Sequence, residues 1–303
     1  VRDITQQKNA EEQLRLAAGV FAHAREGIMI MNADFILINV NAAFTYITGY
    51  EHDDVIGKKP GILKSDRHSI DFYASMYQSL DGKGHWYGEI WNRRKNGEVY
   101  AALLNISQIL SKDGETRHFV GIFTDITYIK THQRELEHLA HYDILTGLPN
   151  RVLLTTRLQQ AMALTKRLNK FIAVVFIDLD GFKAINDRYG HETGDKLLIN
   201  IAKNMKYSFR KVDTLARIGG DEFIAVFQSL NSKTDCEPFV RRILTSVTKP
   251  IVINEQTLNI TASIGISLYP QDEDASPDLL LRQADQAMYE AKKAKKNRFH
   301  FFD

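Results

Sequence analysis

Apolar and polar positions follow two different patterns along the chain. The first half is built from short strand-like runs. Gly27-Ile28-Met29-Ile30-Met31 and Ile36-Leu37-Ile38-Asn39-Val40 are separated by the turn-forming Asn32-Ala33-Asp34. Residues 86–94 and 99–106 flank Lys95-Asn96-Gly97, and Asn-Gly is a strong hairpin signal. Residues 118–123 add a last strand. The order predicted is two strands, short helices, then three strands of an antiparallel sheet. The second half alternates element types. Residues 171–179 are almost continuously apolar, the mark of a central strand buried on both faces. Leu197, Leu198, Ile201, Ala202 and Met205 have helix spacing. A hairpin follows, then a helix over 239–247, strands at 251–253 and 258–268, a helix over 279–294 and a strand at 299–302. This predicts an α+β sandwich with a mixed sheet.

A short repeat marks the joints. Asp3-Ile4-Thr5 precedes Lys8 and a polar–apolar run over 11–21; Asp125-Ile126-Thr127 precedes Lys130 and a similar run over 135–140. Each copy reads as a strand end followed by a helix. In residues 129–141, Ile129, Leu136 and Leu139 fall on a heptad seam, with His132 at its weaker position. A helix this short is marginal alone. It either pairs with its twin in a homodimer or packs as a plain linker on one domain.

Composition changes little in this picture. A chain of 303 residues has a length prior of two domains. With 44% hydrophobic and 25% charged residues it is ordinary globular protein, and a net charge of +2 gives no reason to expect nucleic acid as a partner. The single cysteine, Cys236, excludes an internal disulfide and fits a reducing compartment, so a cytoplasmic location is expected. No run of 18 apolar residues exists, and no signal peptide is recognised. The chain begins with Val1. It is therefore expected to be a fragment, whose full-length parent has room for an anchor at the inner face of the membrane.

The chemistry concentrates in Arg217-Ile218-Gly219-Gly220-Asp221-Glu222-Phe223, with β-type segments on both sides. Glycines at a hairpin tip let a ligand approach the backbone. Adjacent carboxylates suit a hard cation. A solvated turn would look the same for Gly-Gly-Asp alone. The strand over 171–177 empties into Asp178-Leu179-Asp180-Gly181-Phe182-Lys183, a composition suited to phosphate and metal.

The five-residue string resembles the signature of GGDEF domains, the diguanylate cyclases. The resemblance extends through Asp143, Leu145-Thr146-Gly147-Leu148-Pro149-Asn150-Arg151, Ala184-Ile185-Asn186-Asp187, Gly190-His191, Gly194-Asp195, Ser263-Ile264-Gly265 and Ala287-Met288-Tyr289. It implies a palm-like α/β cyclase fold over 142–303 that joins two GTP molecules into cyclic di-GMP, with Mg²⁺ or Mn²⁺ as cofactor. It implies that Asp178, Asp221 and the Leu179 carbonyl hold the metal. Asn186 and Asp195 would read guanine, and Phe182, Lys183, Gly219, Gly220, Lys292 and Lys296 would line the substrate. Glu222 and Lys183 would join Asp221 in catalysis. The family usually has glycine then arginine where this chain has Lys295-Lys296, and a lysine offers charge without a bidentate fork. Arg210 and Asp213 match an inhibitory product site that binds cyclic di-GMP, with Arg241 or Arg242 as candidates to complete it.

The first half resembles PAS sensor domains in its strand order, in Asn41-Phe44-Thr48-Gly49-Tyr50 and in Asn92-Arg93-Arg94-Lys95-Asn96-Gly97. The resemblance implies four segments. Residues 1–12 are the tail of a preceding domain, 13–128 the PAS domain, 129–141 a signalling helix and 142–303 the GGDEF domain. Trp86, Trp91 and Asn92 resemble the flavin-binding subset, which makes FAD a candidate cofactor; the alternative is that the tryptophans are core or dimer-surface residues. His68 as a haem ligand is a weaker option. Residues 1–128 contain no cysteine, so light-driven adduct chemistry is excluded. Two other functions compete with an active cyclase: a silent receptor for GTP or cyclic di-GMP, and a PAS dimerisation scaffold.

Overall fold

The structure is a computed structural model that describes residues 2–111, 113–168, 170–271, 275–294 and 297–303. Its contacts divide the chain into two compact units, Val1–Arg134 and Glu135–Asp303.

In the first unit, helix α1 (Arg2–His23) leads to strands β1 (Gly27–Asn32) and β2 (Leu37–Val40). Helices α2 (Ala42–Thr48), α3 (His52–Val55) and α4 (Ile70–Lys83) follow, and β3 (His85–Arg93), β4 (Val99–Leu110) and β5 (Thr116–Asp125) complete the sheet. The strand order is β2-β1-β5-β4-β3, antiparallel throughout. One face carries Met29, Met31, Tyr100, Leu104 and Phe123 into a core closed by Phe44 of α2 and Leu80 of α4. Asn41 ties this unit together. Its side chain caps α2 at Phe44 N, accepts from Ile28 N, and donates to the carbonyls of Phe21 and Glu26.

The two copies of the repeat part company here. Asp125-Ile126-Thr127 does sit at a strand end: Thr127 N donates to Asp125 Oδ1, and Ala101 N donates to Thr127 Oγ1. Asp3-Ile4-Thr5 instead lies inside α1. Helix α5 (Thr127–His141) follows the second copy and buries none of its residues.

The second unit opens on α6 (Arg151–Leu168) and β6 (Phe171–Asp180). Next come α7 (Phe182–Tyr189), α8 (His191–Lys206), the hairpin β7 (Thr214–Gly219) and β8 (Glu222–Leu230), and α9 (Glu237–Val247). Strands β9 (Ile251–Ile253), β10 (Gln256–Leu258) and β11 (Thr261–Tyr269), helix α10 (Pro277–Lys293) and β12 (Arg298–Phe301) finish it. The main sheet runs β12-β11-β6-β8-β7, with only β11 and β12 parallel. Alternate residues of β6 feed two cores. Ala173, Val175 and Ile177 pack with α8 and α9, and Ile172, Val174 and Phe176 pack with α6 and α10. The sandwich is thus helix, sheet, helix around a mixed sheet. The strand expected at 258–268 is two strands in two sheets. Asn254 and Glu255 adopt positive φ (49° and 65°), making a tight hairpin that pairs β10 with β9 alone.

Candidate active site

The site forms where β6 ends beside the tip of the β7–β8 hairpin. Gly219 and Gly220 take φ of 151° and 51°, conformations that favour glycine, and so turn the chain directly into Asp221 and Glu222. The register places Glu222 opposite Asp178. Asp178 is only 8% exposed, and Lys292 of α10 reaches it with Nζ 2.7 Å from Oδ1. Burial pushes the Asp178 carboxyl above its usual range, Lys292 opposes that, and the neighbouring Asp221 and Asp180 add to it. Glu222 is raised by burial and then by the charges of Asp178, Asp285 and Asp221. Several carboxylates therefore crowd one ammonium, an electrostatic imbalance that a divalent cation would relieve.

The donor chemistry fits Mg²⁺. Among the described residues no group of three or more ligating side chains closes around a point. Mg²⁺ is commonly held by one or two carboxylates, with water and phosphate oxygens completing its shell. Asp180 plays a different part. It accepts from Thr261 Oγ1 at 2.7 Å, Ser263 Oγ at 2.8 Å and Asn297 N at 3.3 Å, which binds β6 to β11 and to the approach to β12. Leu179 has its side chain in the core.

Beyond the strand end, Gly181 (φ 81°) redirects the chain into α7. Phe182 is buried and Lys183 exposed. Asn186 lies against α8, where its Oδ1 would be 1.8 Å from a methyl placed on Gly194. That oxygen is buried and has no hydrogen-bond partner. An orphaned buried acceptor of this kind calls for a donor from a ligand. Asp195, the next residue after Gly194, is exposed. Lys296 lies outside the described residues.

Arg210 and Asp213 do meet, but first with each other. Arg210 donates through N (3.1 Å) and Nε (3.0 Å) to Asp213 Oδ2 and through Nη2 to Oδ1 (3.1 Å), and Gln228 N adds a further donor at 3.3 Å. Asp213 has no exposed side-chain surface, whereas Arg210 is open to solvent and lies over the Phe239 ring. Arg157, Lys206, Arg210 and Lys211 line one cavity of about 380 Å³. Arg241 and Arg242 line another, with Tyr207 and Lys249.

In the first unit strand geometry splits the residues of the flavin expectation. Successive residues of β3 face opposite sides, so Trp86, Ile90 and Asn92 point inward and Trp91 outward. The guanidinium groups of Arg67 (4.1 Å) and Arg134 (5.4 Å) both lie over the Trp91 ring. Trp86 packs edge-on against Phe72 and closes over Gly88. The space beside Asn92, lined by Met29, Tyr73, Leu104 and Ile106, is about 40 Å³. That holds a water and no isoalloxazine ring. These residues do not fit FAD. His68 does not fit a haem-ligand role through Nε2 either, because that nitrogen already accepts from Trp91 N at 2.8 Å.

A mixed sheet between helix layers, with a glycine-tipped acidic hairpin beside a carboxylate-ended central strand, defines a nucleotidyl cyclase type of domain. The chain belongs to the GGDEF family: the diguanylate cyclase, GGDEF domain model matches residues 140–298, and a PAS domain model matches residues 25–128. A bifunctional diguanylate cyclase/cyclic di-GMP phosphodiesterase, MucR of Pseudomonas aeruginosa, is 44% identical over 170 residues, 56% of this chain and 24% of that protein. The chain thus spans about a quarter of that relative's length. The solved GGDEF domain of TpbB from the same organism is 39% identical with a TM-score of 0.52, covering 54% of this chain and 95% of that one. The coiled coil and GGDEF domain of DgcB from Caulobacter crescentus, solved in complex with c-di-GMP, is 25% identical with a TM-score of 0.53, covering 58% and 93%. Among the described residues no helix is long and apolar enough to cross a membrane.

Proposed function

We propose that the protein is a diguanylate cyclase, condensing two GTP into cyclic di-GMP with release of two pyrophosphates. The observation that carries this reading is the meeting of Asp178 with Asp221 and Glu222 across paired strands, within reach of Lys292, in a GGDEF-family chain. Asp178, Asp221 and the Leu179 carbonyl are the groups to hold Mg²⁺ or Mn²⁺, which when bound would stabilise the attacking and leaving oxygens. Phe182, Lys183 and the Gly219–Gly220 backbone line the triphosphate. Lys292, already on Asp178, supplies positive charge on the far side, and Lys296 is assigned beside it. Glu222, whose raised pKa favours proton uptake, is placed to accept the proton of the ribose 3′-hydroxyl as that oxygen attacks the α-phosphorus of the second GTP. Each domain binds one GTP, so the reaction needs a homodimer with two sites face to face. Catalysis is then mainly positioning, worth roughly 7–11 kcal/mol.

Asn186 and Asp195 supply base selectivity. The unpartnered Asn186 Oδ1 awaits a donor, and a carboxylate suits guanine N1–H and N2–H₂. Asn186→Ala and Asp195→Ala are expected to raise the KM for GTP and narrow the GTP-over-ATP preference by about tenfold or more each. Competition assays with both nucleotides check this, and unchanged selectivity in both variants would remove the assignment.

Helix α5 links sensor and enzyme. Its Ile129, Leu136 and Leu139 are more than half exposed, an apolar seam that a second copy of the helix would cover. The PAS domain then acts through dimer geometry without touching the site. Product feedback is assigned to Arg210 and Asp213. Because Asp213 also anchors its own turn, Arg210 is the residue to change. Arg210→Ala should relieve inhibition by added cyclic di-GMP while leaving the initial rate intact. Superimposable inhibition curves for variant and wild type would place product binding elsewhere.

A further inference from the structure

We infer that Arg217 is a positioning residue that holds the metal-binding turn in its working shape, an inference that rests on the cyclase reading above. The guanidinium is almost enclosed, with 10% of its side chain exposed, and it grips two segments at once. Nη1 lies 2.9 Å from both carboxylate oxygens of Asp143. Nε and Nη2 donate to the Gly220 carbonyl at 3.0 and 2.7 Å.

Each end of this clamp has a reason. The turn it holds consists of two glycines, the residues least able to fix their own dihedral angles. The Gly220 carbonyl belongs to the planar peptide that begins Asp221. Fixing that oxygen with two donors fixes the peptide plane, and so the direction in which the Asp221 carboxylate leaves the chain. The anchor at the other end is itself rigid. Asp143 accepts from Thr146 N at 2.9 Å and Thr146 Oγ1 at 2.6 Å, and its carboxyl is held below its ordinary range, burial being outweighed by Thr146 and Arg217. Arg217 N also donates to the Pro149 carbonyl at 3.0 Å. A lysine would keep the charge near Asp143 but has no planar fork to span both partners. The clamp touches neither Asn186 nor Asp195, so recognition of the guanine base should not depend on it.

The test compares Arg217→Lys, Arg217→Ala and Asp143→Asn with wild type, all in the 303-residue chain. Steady-state kinetics with GTP are paired with calorimetric binding of 3′-deoxy-GTP, which cannot cyclise, with and without Mg²⁺. Thermal unfolding controls for folding. Arg217→Lys should stay folded and lose about 10–100-fold in kcat, the scale expected of a small misplacement. Its GTP-over-ATP preference should stay near wild type, while the affinity for 3′-deoxy-GTP gained on adding Mg²⁺ shrinks. Millimolar guanidinium should restore part of the turnover of Arg217→Ala. Wild-type kcat and wild-type Mg²⁺ gain in Arg217→Lys would overturn the inference, as would a loss that merely follows the melting temperature and erodes the GTP-over-ATP preference in parallel. An active wild type with an unaffected variant removes the clamp alone. A wild type that forms no cyclic dinucleotide removes the cyclase reading and the clamp with it.

Discussion

Asp221→Ala is expected to lower cyclic di-GMP synthesis by on the order of 10²–10³, the usual cost of deleting one charge-stabilising group at a reacting centre. The fold should survive unchanged. Among the described residues no donor reaches the Asp221 carboxylate, which sits in a turn and repels Asp178 and Glu222. Removing it in metal-free buffer relieves that repulsion, so stability should shift by no more than about 0.5 kcal/mol. Activity assays with saturating GTP and Mg²⁺, alongside thermal melts, separate the two effects. Near-wild-type turnover would sink the assignment of Asp221 as a metal ligand. A collapsed melting temperature would mean that the turn is structural.

The second large effect is on stability. Gly265 lies in the middle of β11 where α10 crosses it. A methyl at this position would stand 2.0 Å from the Ala284 carbonyl oxygen and 2.1 Å from Met288 N. Both obstacles are helix backbone and cannot rotate away. Gly265→Ala should therefore force β11 and α10 apart, at about 3 kcal/mol or more. For a domain of this size that is a fall of roughly 6–12 °C in melting temperature. Because α10 also carries Lys292 to Asp178, activity should fall well before the melting point. An unaltered melting curve would show that the helix can slide on the sheet.

Much of this arrangement was legible from residues alone, and the reasons are specific. The apolar run over 171–179 had to be a central strand, since no surface element remains that apolar over such a length. The paired glycines of Gly219-Gly220-Asp221 marked the hairpin tip, and the acids beside them marked its chemistry. Other features left weaker traces. Helix α6 has Leu154, Leu158 and Ala161 at helix spacing, but its threonines and glutamines dilute the pattern. The separation of β10 from β11 depends on two positive-φ residues, Asn254 and Glu255, of which only asparagine signals such a turn.

Pairings distant in sequence left no trace at all. Arg217 and Asp143 are 74 residues apart, and a single sequence carries nothing that couples them. The same holds for the bonds from Thr261 and Ser263 to Asp180, which turn one acid of an apparently uniform Asp-Leu-Asp run into a strand latch. The place of Trp91 in the flavin expectation was avoidable. Trp91 and Asn92 are neighbours in one strand, so they face opposite sides and cannot both touch one ligand.

The central claim is that a GGDEF-family chain whose acids meet across β6 and β8 makes a cyclic dinucleotide. It is tested most directly by incubating the 303-residue protein with GTP and Mg²⁺ and resolving the products by anion-exchange chromatography while pyrophosphate is measured. The account predicts that GTP is consumed to cyclic di-GMP, with two pyrophosphates released per product and none formed when Mg²⁺ is chelated. GTP that is left intact, or hydrolysed to GDP and phosphate with no cyclic dinucleotide, would contradict it.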